Sequence, residues 1–327
     1  MRVLVAGGAG YIGSFVVRRL LGQGHEVSVL DSLRTGSRRA LPDDVPLDVV
    51  DVRDAEKVEA TFRAFAPEAV IHLAALKSAA ESVRRPDLYY DVNVTGTAGL
   101  LRAALKSDVE RFVFSSSCAV YGSPQICPVA EHTVPSPESP YGETKLASER
   151  MLGWYARPTS MRYASLRYFN VAGAAADASL GEFTNEFTSQ LIPRAIDSVL
   201  HGTDLEIYGT DYPTGDGTAL RDYIHVEDLA GAHVRILEQL DSPQVCGEYN
   251  LGSGRPVSVR EVVEAIERQS GLRVSRRARP RRAGDPAVSW ADPALAHRVF
   301  GWSPERDFEE IVRSAWLWHR SREQERA

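Results

Sequence analysis

The sequence predicts an α/β protein: a doubly wound parallel sheet covered by helices on both faces, joined to a smaller α/β domain. Three observations carry that prediction. A strand, a glycine turn, a helix and a second strand open the chain; short apolar strands then alternate with helical patterns as far as residue 117; and the regular alternation is lost in the second half.

Taken in order, "RVLVAG" (2 to 7) reads as a buried strand, "GAGYIG" as a turn, and "SFVVRRLLGQG" (14 to 24) as a helix closed by Gly24. "EVSVLD" (26 to 31) is the second strand. Gly7, Gly10 and Gly13 form a GxxGxxG pattern, whose missing side chains permit a tight turn, the approach of a pyrophosphate and close helix packing. The helix N-terminus then offers unpaired N–H groups to phosphates. Asp31 closes the second strand 18 residues after Gly13, where a carboxylate accepts bonds from both ribose hydroxyls and repels a 2′-phosphate; NAD is favoured over NADP, with Arg34 nearby as the opposing feature. Alternation continues through "LDVVD" (47 to 51), a helix near 55 to 65, "AVIHLAA" (69 to 75), a helix near 90 to 106 and "RFVFSSS" (111 to 117). Asp51, just before Val52, either meets an adenine amino group or caps the following helix. His72, inside an apolar strand, reads as a packed core histidine.

The second half carries a helix over 186 to 202, a strand "LEIYG" (205 to 209) and a long polar loop reaching Arg221. The expected division is an NAD-binding domain over 1–170, rejoined by about 222–251, with 171–327 mainly forming a substrate domain.

Lysine is scarce: Lys57, Lys77, Lys106 and Lys145 are the only four. One of them sits four residues after Tyr141 in "SPYGETKLASER", a spacing that returns to the same helix face about 6 Å on. Chance gives roughly 0.15 such YxxxK pairs in this composition, so position decides. The pair follows a strand ending in Ser115-Ser116-Ser117, and sheet ligands lie beyond the carboxyl ends of strands. A tyrosine acting as base at neutral pH needs its pKa lowered by about 3 units, or about 4 kcal/mol. One cation about 5 Å away supplies roughly 3 kcal/mol at an effective dielectric of about 20. Lys145 together with a cationic nicotinamide suffices, and Ser117 can bond the reacting hydroxyl or pass its proton to Tyr141.

Composition bounds the partners. A net charge of -6 over 327 residues disfavours nucleic acid and anionic membranes, and 43% hydrophobic with 25% charged residues is ordinary for a globular enzyme. The basic run "RRARPRR" (276 to 282) reads as a solvated loop or edge strand. Three cysteines without CxxC spacing indicate neither a disulfide framework nor a zinc site. With no basic leader and no apolar run long enough to span a bilayer, a cytoplasmic protein is expected.

Together "GGAGYIGS", "HLAALKSAAES", "YYDVNVTGT", "FSSSCAVYG", "SPYGETKLASE", "LRYFNVAGA", "GTDYPTGDGTALRDYIHVEDLA", "YNLGSG" and "RRAGDPAVSWAD" resemble the UDP-glucose 4-epimerases (UDP-galactose 4-epimerases) of the extended short-chain dehydrogenase/reductase family, nearly end to end. The resemblance implies a Rossmann-like fold and a tightly held NAD regenerated at each turnover. It implies that Tyr141 takes the sugar 4-hydroxyl proton while hydride leaves C4, and that the 4-keto intermediate rotates and is reduced on its other face. To the cofactor it assigns Tyr11, Ile12, Val52, Leu73, Ala74, Ala75, Lys77, Asn93 and Tyr168 beside Gly7, Gly10, Gly13, Asp31, Asp51, Tyr141 and Lys145. To the UDP-sugar it assigns Asn170, Gln190, Leu191, Tyr208, Arg221, Arg282, Asp285 and Ser289 beside Lys77, Ser117 and Tyr141. The arginines also suit a pyrophosphate on their own chemistry, whereas Tyr208 either packs beside uracil or belongs to a core, and Lys77 has a solvated alternative.

Two departures stand out. Gln190 stands where relatives commonly carry His or Asn, and Ser289 where some carry a bulky Tyr and others a small residue. A homodimer through helices of the nucleotide domain is implied, with "YYDVNVTGTAGLLRAAL" (89 to 105) a compatible face. The rivals are a nucleotide-sugar dehydratase, disfavoured because Cys118 and Ala119 occupy its two acidic positions, and a noncatalytic NAD-sensing protein, which has no use for Ser117, Tyr141 and Lys145 together.

Overall fold

Strand residues bury both of their faces, as parallel strands between two helical layers must. The computed structural model describes residues 1–184, 188, 190–282 and 284–326. Its strands are β1 (Arg2–Ala6), β2 (Glu26–Asp31), β3 (Leu47–Val49), β4 (Ala69–His72), β5 (Arg111–Ser115), β6 (Arg162–Tyr168), β7 (Asn170–Ala172), β8 (Leu205–Tyr208), β9 (Leu220–His225), β10 (Gly247–Leu251), β11 (Pro256–Ser258), β12 (Arg276–Arg279) and β13 (Val288–Ser289). Seven form one sheet in the order β10-β6-β5-β4-β1-β2-β3, with every pair parallel. Strand order reverses between β1 and β4, so a crevice opens beyond their carboxyl ends.

The period-2 alternation sorts side chains between two cores. Val3, Val5, Val27, Val29 and Ile71 join Phe15, Val16 and Leu20 of the helix Tyr11–Gly22 and Leu229, Ile236 and Leu237 of the helix Val226–Gln239. Leu4, Ala6, Leu30, Val70, Phe112 and Phe114 join Val58 and Phe62 of the helix Ala55–Phe65, Leu100 and Leu101 of Gly96–Lys106, and Leu152 of Pro140–Ala156. A further core joins Ile192 and Ile196 of the helix Leu191–His201 to Ile207, Val262, Ile266, Ile311 and Trp316. In this smaller region β9 pairs with β7, β11 and β13, and β8 pairs with β12. The basic run thus contributes an edge strand, as one of its two readings held.

Several elements are shorter than expected. β3, β4 and β5 stop at Val49, His72 and Ser115, because the chain leaves the sheet to line the crevice: the N–H groups of Leu73 and Ala74 both turn back onto Ala6 O, at 2.7 and 3.0 Å. The helix near 90 to 106 begins at Pro86 and passes through one wide turn at Asp91–Thr95. The helix expected over 186 to 202 starts at Leu191; of that expectation, residues 186, 187 and 189 lie outside the described residues. Among the described residues no helix is long and apolar enough to cross a membrane.

Candidate active site

At the crevice, Gly7 has φ +85°, and a Cβ there would lie 2.5 Å from Ala74 N. A Cβ on Gly13 would lie 2.2 Å from Gly7 O, whereas one on Gly10 meets only Gly7 O, at 3.3 Å, and otherwise faces the cleft. Gly7 and Gly13 are therefore demanded by the chain itself, while Gly10 leaves room for a ligand to approach. Gly10 caps the helix Tyr11–Gly22 without a side-chain bond, so the first-turn N–H groups and the positive end of the helix dipole suit a pyrophosphate.

The cleft, of about 380 Å³, is lined by Gly7, Gly10, Tyr11, Ile12, Gly13, Asp31, Asp51, Val52, Leu73, Ala74, Ala75, Lys77, Tyr141, Lys145 and Tyr168 of the expected cofactor set. Asp31 is fixed at its rim by Ala9 N at 3.0 Å and Leu33 N at 2.9 Å, and burial raises its carboxyl pKa in spite of both bonds. Asp51 does not cap the next helix; Asp54 does, accepting from Lys57 N at 3.2 Å. The Asp51 carboxylate is instead gripped by Arg53, Nη2 to Oδ2 at 2.7 Å, which lowers its pKa.

Asn93 stands behind the wall rather than in it. Its Oδ1 accepts from Leu76 N at 2.8 Å and its Nδ2 donates to Leu76 O at 3.1 Å and Thr144 Oγ1 at 3.0 Å, clamping the loop beside Lys77 onto the helix of Tyr141. His72 is a buried core residue, bonded to Thr97 Oγ1 at 2.9 Å and kept neutral by burial, its pKa pushed down to about 3. Lys77 is half exposed, with Nζ 3.4 Å from Glu182 Oε1. Further lining residues went unanticipated: Ser32, Thr35, Val50, Arg53, Leu76, Val92 and Ser115. Ser32 and Thr35 were signalled only by adjacency to Asp31, and Arg53 by nothing in the local pattern.

Tyr141 and Lys145 sit on the helix Pro140–Ala156, started by Ser139, which accepts from Gly142 N at 3.2 Å. Lys145 is buried, its Nζ 6.0 Å from the Tyr141 ring centroid and donating to Ser115 O at 2.7 Å. The electrostatics differ from the sequence argument. Burial pushes the Tyr141 phenol up to about 12, the nearby Ser117 hydroxyl pulling it down and the Cys118 thiol pushing it up. Burial likewise draws the Lys145 ammonium down to about 7, with Glu149 opposing. Desolvation penalises both charged forms, so Lys145 alone does not make Tyr141 a base.

Most of the residues expected at the UDP-sugar lie in the smaller region. Ser289 is buried on β13 in register with Arg221 on β9. Arg221 is ion-paired with Asp285. The Arg282 guanidinium stacks 3.8 Å from the Tyr208 ring centroid, and Tyr208 Oη donates to Glu206 Oε2 at 2.6 Å. Tyr208 is therefore a half-buried platform at a strand end rather than a core residue. Asn170 is exposed at the start of β7, and Gln190 caps the helix on which Leu191 packs into the smaller core. Cys118 neighbours both Arg221 and Tyr141: burial raises its thiol to about 11, the Arg221 guanidinium opposes that rise, and the same thiol acts on Tyr141.

Residues 3–252 match the NAD dependent epimerase/dehydratase family. The chain is 41% identical to the UDP-glucose 4-epimerase of Lactobacillus helveticus over 323 residues, 98% of each chain. It superposes with a TM-score of 0.94, at 41% identity over 99% of each chain, on the UDP-glucose-4-epimerase from Stenotrophomonas maltophila with bound NAD and formylated UDP-arabinopyranose. On the UDP-glucose 4-epimerase from Brucella ovis in complex with NAD the TM-score is 0.91, at 44% identity over 97% of each chain. With its glycine turn, its Tyr141–Lys145 helix and this likeness along its whole length, the chain belongs to the NAD dependent epimerase/dehydratase family and, within it, to the UDP-glucose 4-epimerases.

Proposed function

We propose that this protein is an isomerase that interconverts UDP-glucose and UDP-galactose at C4 with tightly bound NAD, and that it also accepts UDP-N-acetylglucosamine and UDP-N-acetylgalactosamine. The observation that carries the reading is Tyr141, beside Ser117 and one helical turn from buried Lys145, lining a cleft beyond the carboxyl ends of β1 and β4. NAD held by Gly7, Gly10, Gly13, Asp31 and Asp51 would supply a reversible hydride acceptor for sugar C4.

The chain's own residues do the rest. Tyr141 removes the 4-hydroxyl proton, directly or through Ser117, and gives it back after the sugar turns. Lys145 stabilises the phenolate and holds the nicotinamide ribose. Gly7, Gly10 and Gly13 admit the pyrophosphate, Asp31 takes the ribose hydroxyls and Asp51 the adenine. Arg221 and Arg282 hold the UDP phosphates with forked donors; Tyr208, Asn170, Gln190, Leu191 and Asp285 complete that grip, so binding energy resides in UDP and the sugar is free to turn. Ser289 leaves room for an acetamido group. In domain terms, 1–170 with about 222–251 binds NAD and the rest of 171–327 binds the nucleotide sugar.

Three exposed apolar side chains, Val83, Tyr90 and Trp154, lie on helices packed against one another, which supports a homodimer through this face. Light scattering at micromolar protein tests it, a monomer mass refuting it. The three cysteines are free thiols, which suits the cytoplasm. The function itself is tested by NMR of product mixtures after incubation with a panel of UDP-sugars and no added NAD. Glucose and galactose forms should interconvert; no conversion, or a dehydrated keto sugar, rejects the reading.

A further inference from the structure

One turn beyond Lys145, the same helix buries a second charge. Glu149 is 3% exposed and its carboxylate is held on both oxygens: Arg167 on β6 donates through Nε to Oε1 at 2.9 Å and through Nη2 to Oε2 at 2.7 Å, and Ser116 Oγ donates to Oε1 at 2.5 Å. Arg167 is fixed in turn, donating through Nη1 to Tyr121 Oη at 3.0 Å, while that hydroxyl donates to Asn250 Oδ1 at 2.7 Å. The network therefore ties the Lys145 helix to β6 and, through Asn250, to β10. It also touches the active-site turn directly, since Ser116 lies between Ser115, whose carbonyl accepts from Lys145, and Ser117, the partner of Tyr141. A buried ion pair is weak evidence for stability, because desolvation offsets the attraction. Its placement under the reacting groups points to another use.

We infer that Glu149, locked by Arg167 and Ser116, is a positioning residue that keeps Lys145 protonated and sets the Ser115–Ser117 turn against it; the inference rests on the reading of Tyr141 as base and Lys145 as the charge beside it. Four residues apart on one helix, the two side chains share a face and both are buried, where a lower dielectric strengthens the interaction between their charges. Burial draws Lys145 down, and Glu149 is the group that opposes it. Other charged or titratable groups are arranged around the pair. His72 on β4 and Tyr168 on β6 stand near the Lys145 and Tyr141 end, and both are uncharged at neutral pH. Around Glu149 are Arg167 and Tyr163 on β6 and Glu248 on β10. Arg167, at 2.7 Å, orients the carboxylate and offsets part of its field at Lys145.

The shortage of lysines makes the test direct. Protein labelled with ε-13C lysine, as purified with its cofactor, should show four side-chain resonances; Lys57, Lys77 and Lys106 have exposed side chains, leaving Lys145 as the buried one, assigned by Lys145→Arg. Glu149→Gln should move the Lys145 titration down by about one to two pH units and leave the other three in place. In the active enzyme the alkaline limb of kcat should move down by the same amount, since the charged form of Lys145 is then lost at lower pH. Should Glu149→Gln fail to fold, Glu149→Asp, which withdraws the carboxylate while keeping its charge, should move the same resonance down by less. A Lys145 titration unchanged in a folded Glu149 variant overturns the inference, as does a pH profile that is scaled down without being displaced. The NMR readout does not depend on epimerisation: an active Tyr141→Phe enzyme would remove the base assignment and leave the Glu149–Lys145 coupling still measurable.

Discussion

A methyl group added at Gly10 and one added at Gly13 should fail in different ways. At Gly13 the new Cβ would sit 2.2 Å from Gly7 O and 2.7 Å from Gly8 Cα. Both neighbours are backbone, so the turn or the helix has to move by more than about 1 Å to reach ordinary contact, and overpacking of that kind costs about 1–3 kcal/mol. The loss of glycine's freedom in the unfolded chain returns about 0.4–1 kcal/mol. Gly13→Ala should therefore lower stability by about 1–2 kcal/mol and the melting temperature by roughly 2–3 °C. At Gly10 the only close atom is Gly7 O, at 3.3 Å. A shift of a few tenths of an ångström relieves it, so Gly10→Ala should stay within about 0.5 kcal/mol of wild type. That methyl faces the cleft, however, and holding a pyrophosphate away from the helix N-terminus should weaken NAD binding at least about tenfold, or about 1.4 kcal/mol. Denaturant unfolding of cofactor-stripped protein measures the first effect, and mass spectrometry of the ligand released on heating measures the second. Wild-type protein should release NAD(H). A Gly10→Ala protein with full NAD content, or a Gly13→Ala protein no less stable than Gly10→Ala, would refute the assignment of roles within the turn.

Other outcomes follow from the same geometry. Tyr141→Phe keeps the ring packing and removes the proton acceptor, so turnover should fall by about 10² or more with UDP affinity little changed, as steady-state kinetics and calorimetry would show. Ser289→Tyr should depress kcat/KM for the N-acetylated substrates much more than for UDP-galactose; equal loss on both removes Ser289 as the gate. Burial holds His72 near 3 and His225 and His233 near 4, below the unfolded value of about 6.5. The unfolded chain therefore binds more protons between about pH 6.5 and 4, and stability should fall as pH falls through that window, by up to about 1.4 kcal/mol per unit for each histidine. Asp31, Glu131 and Glu248, whose pKa values are raised, offset part of this; urea unfolding that is flat from pH 6.5 to 5 would contradict it.

The parts of the site that lie along one stretch of chain were legible in the sequence. Glycine spacing marks Gly7 because its turn needs φ +85° and Gly13 because its steric demand, against Gly7 O and Gly8 Cα, is local, and Tyr141 and Lys145 share a face because helical geometry is regular. Asp51 was ambiguous for a physical reason: a carboxylate before a helix reads the same whether it caps that helix or pairs with Arg53, and only the placement of Asp54 decides. Asn93 looked like a cleft residue by position, yet its amide is spent on Leu76 and Thr144, contacts made across 17 and 51 residues that no window reveals. Arg53, which bridges Asp51 and Asp91, was missed on the same ground.

Electrostatics is where local reasoning fell furthest short, and the size of the gap says what the site needs. From residue types alone, lowering Tyr141 to neutrality was worth about 4 kcal/mol. The fold first pushes the phenol up to about 12, so bringing it to neutrality takes about 7 kcal/mol. A single cation about 5 Å away provides roughly 3 kcal/mol at an effective dielectric of about 20. Lys145 and the nicotinamide charge together supply about 6 kcal/mol and fall just short of that need, where residue types alone made the pair sufficient. Burial draws Lys145 itself down, so its charge needs support from a neighbour. Any group that holds that proton on, Glu149 first among them, sets the fraction of enzyme in which Tyr141 can act.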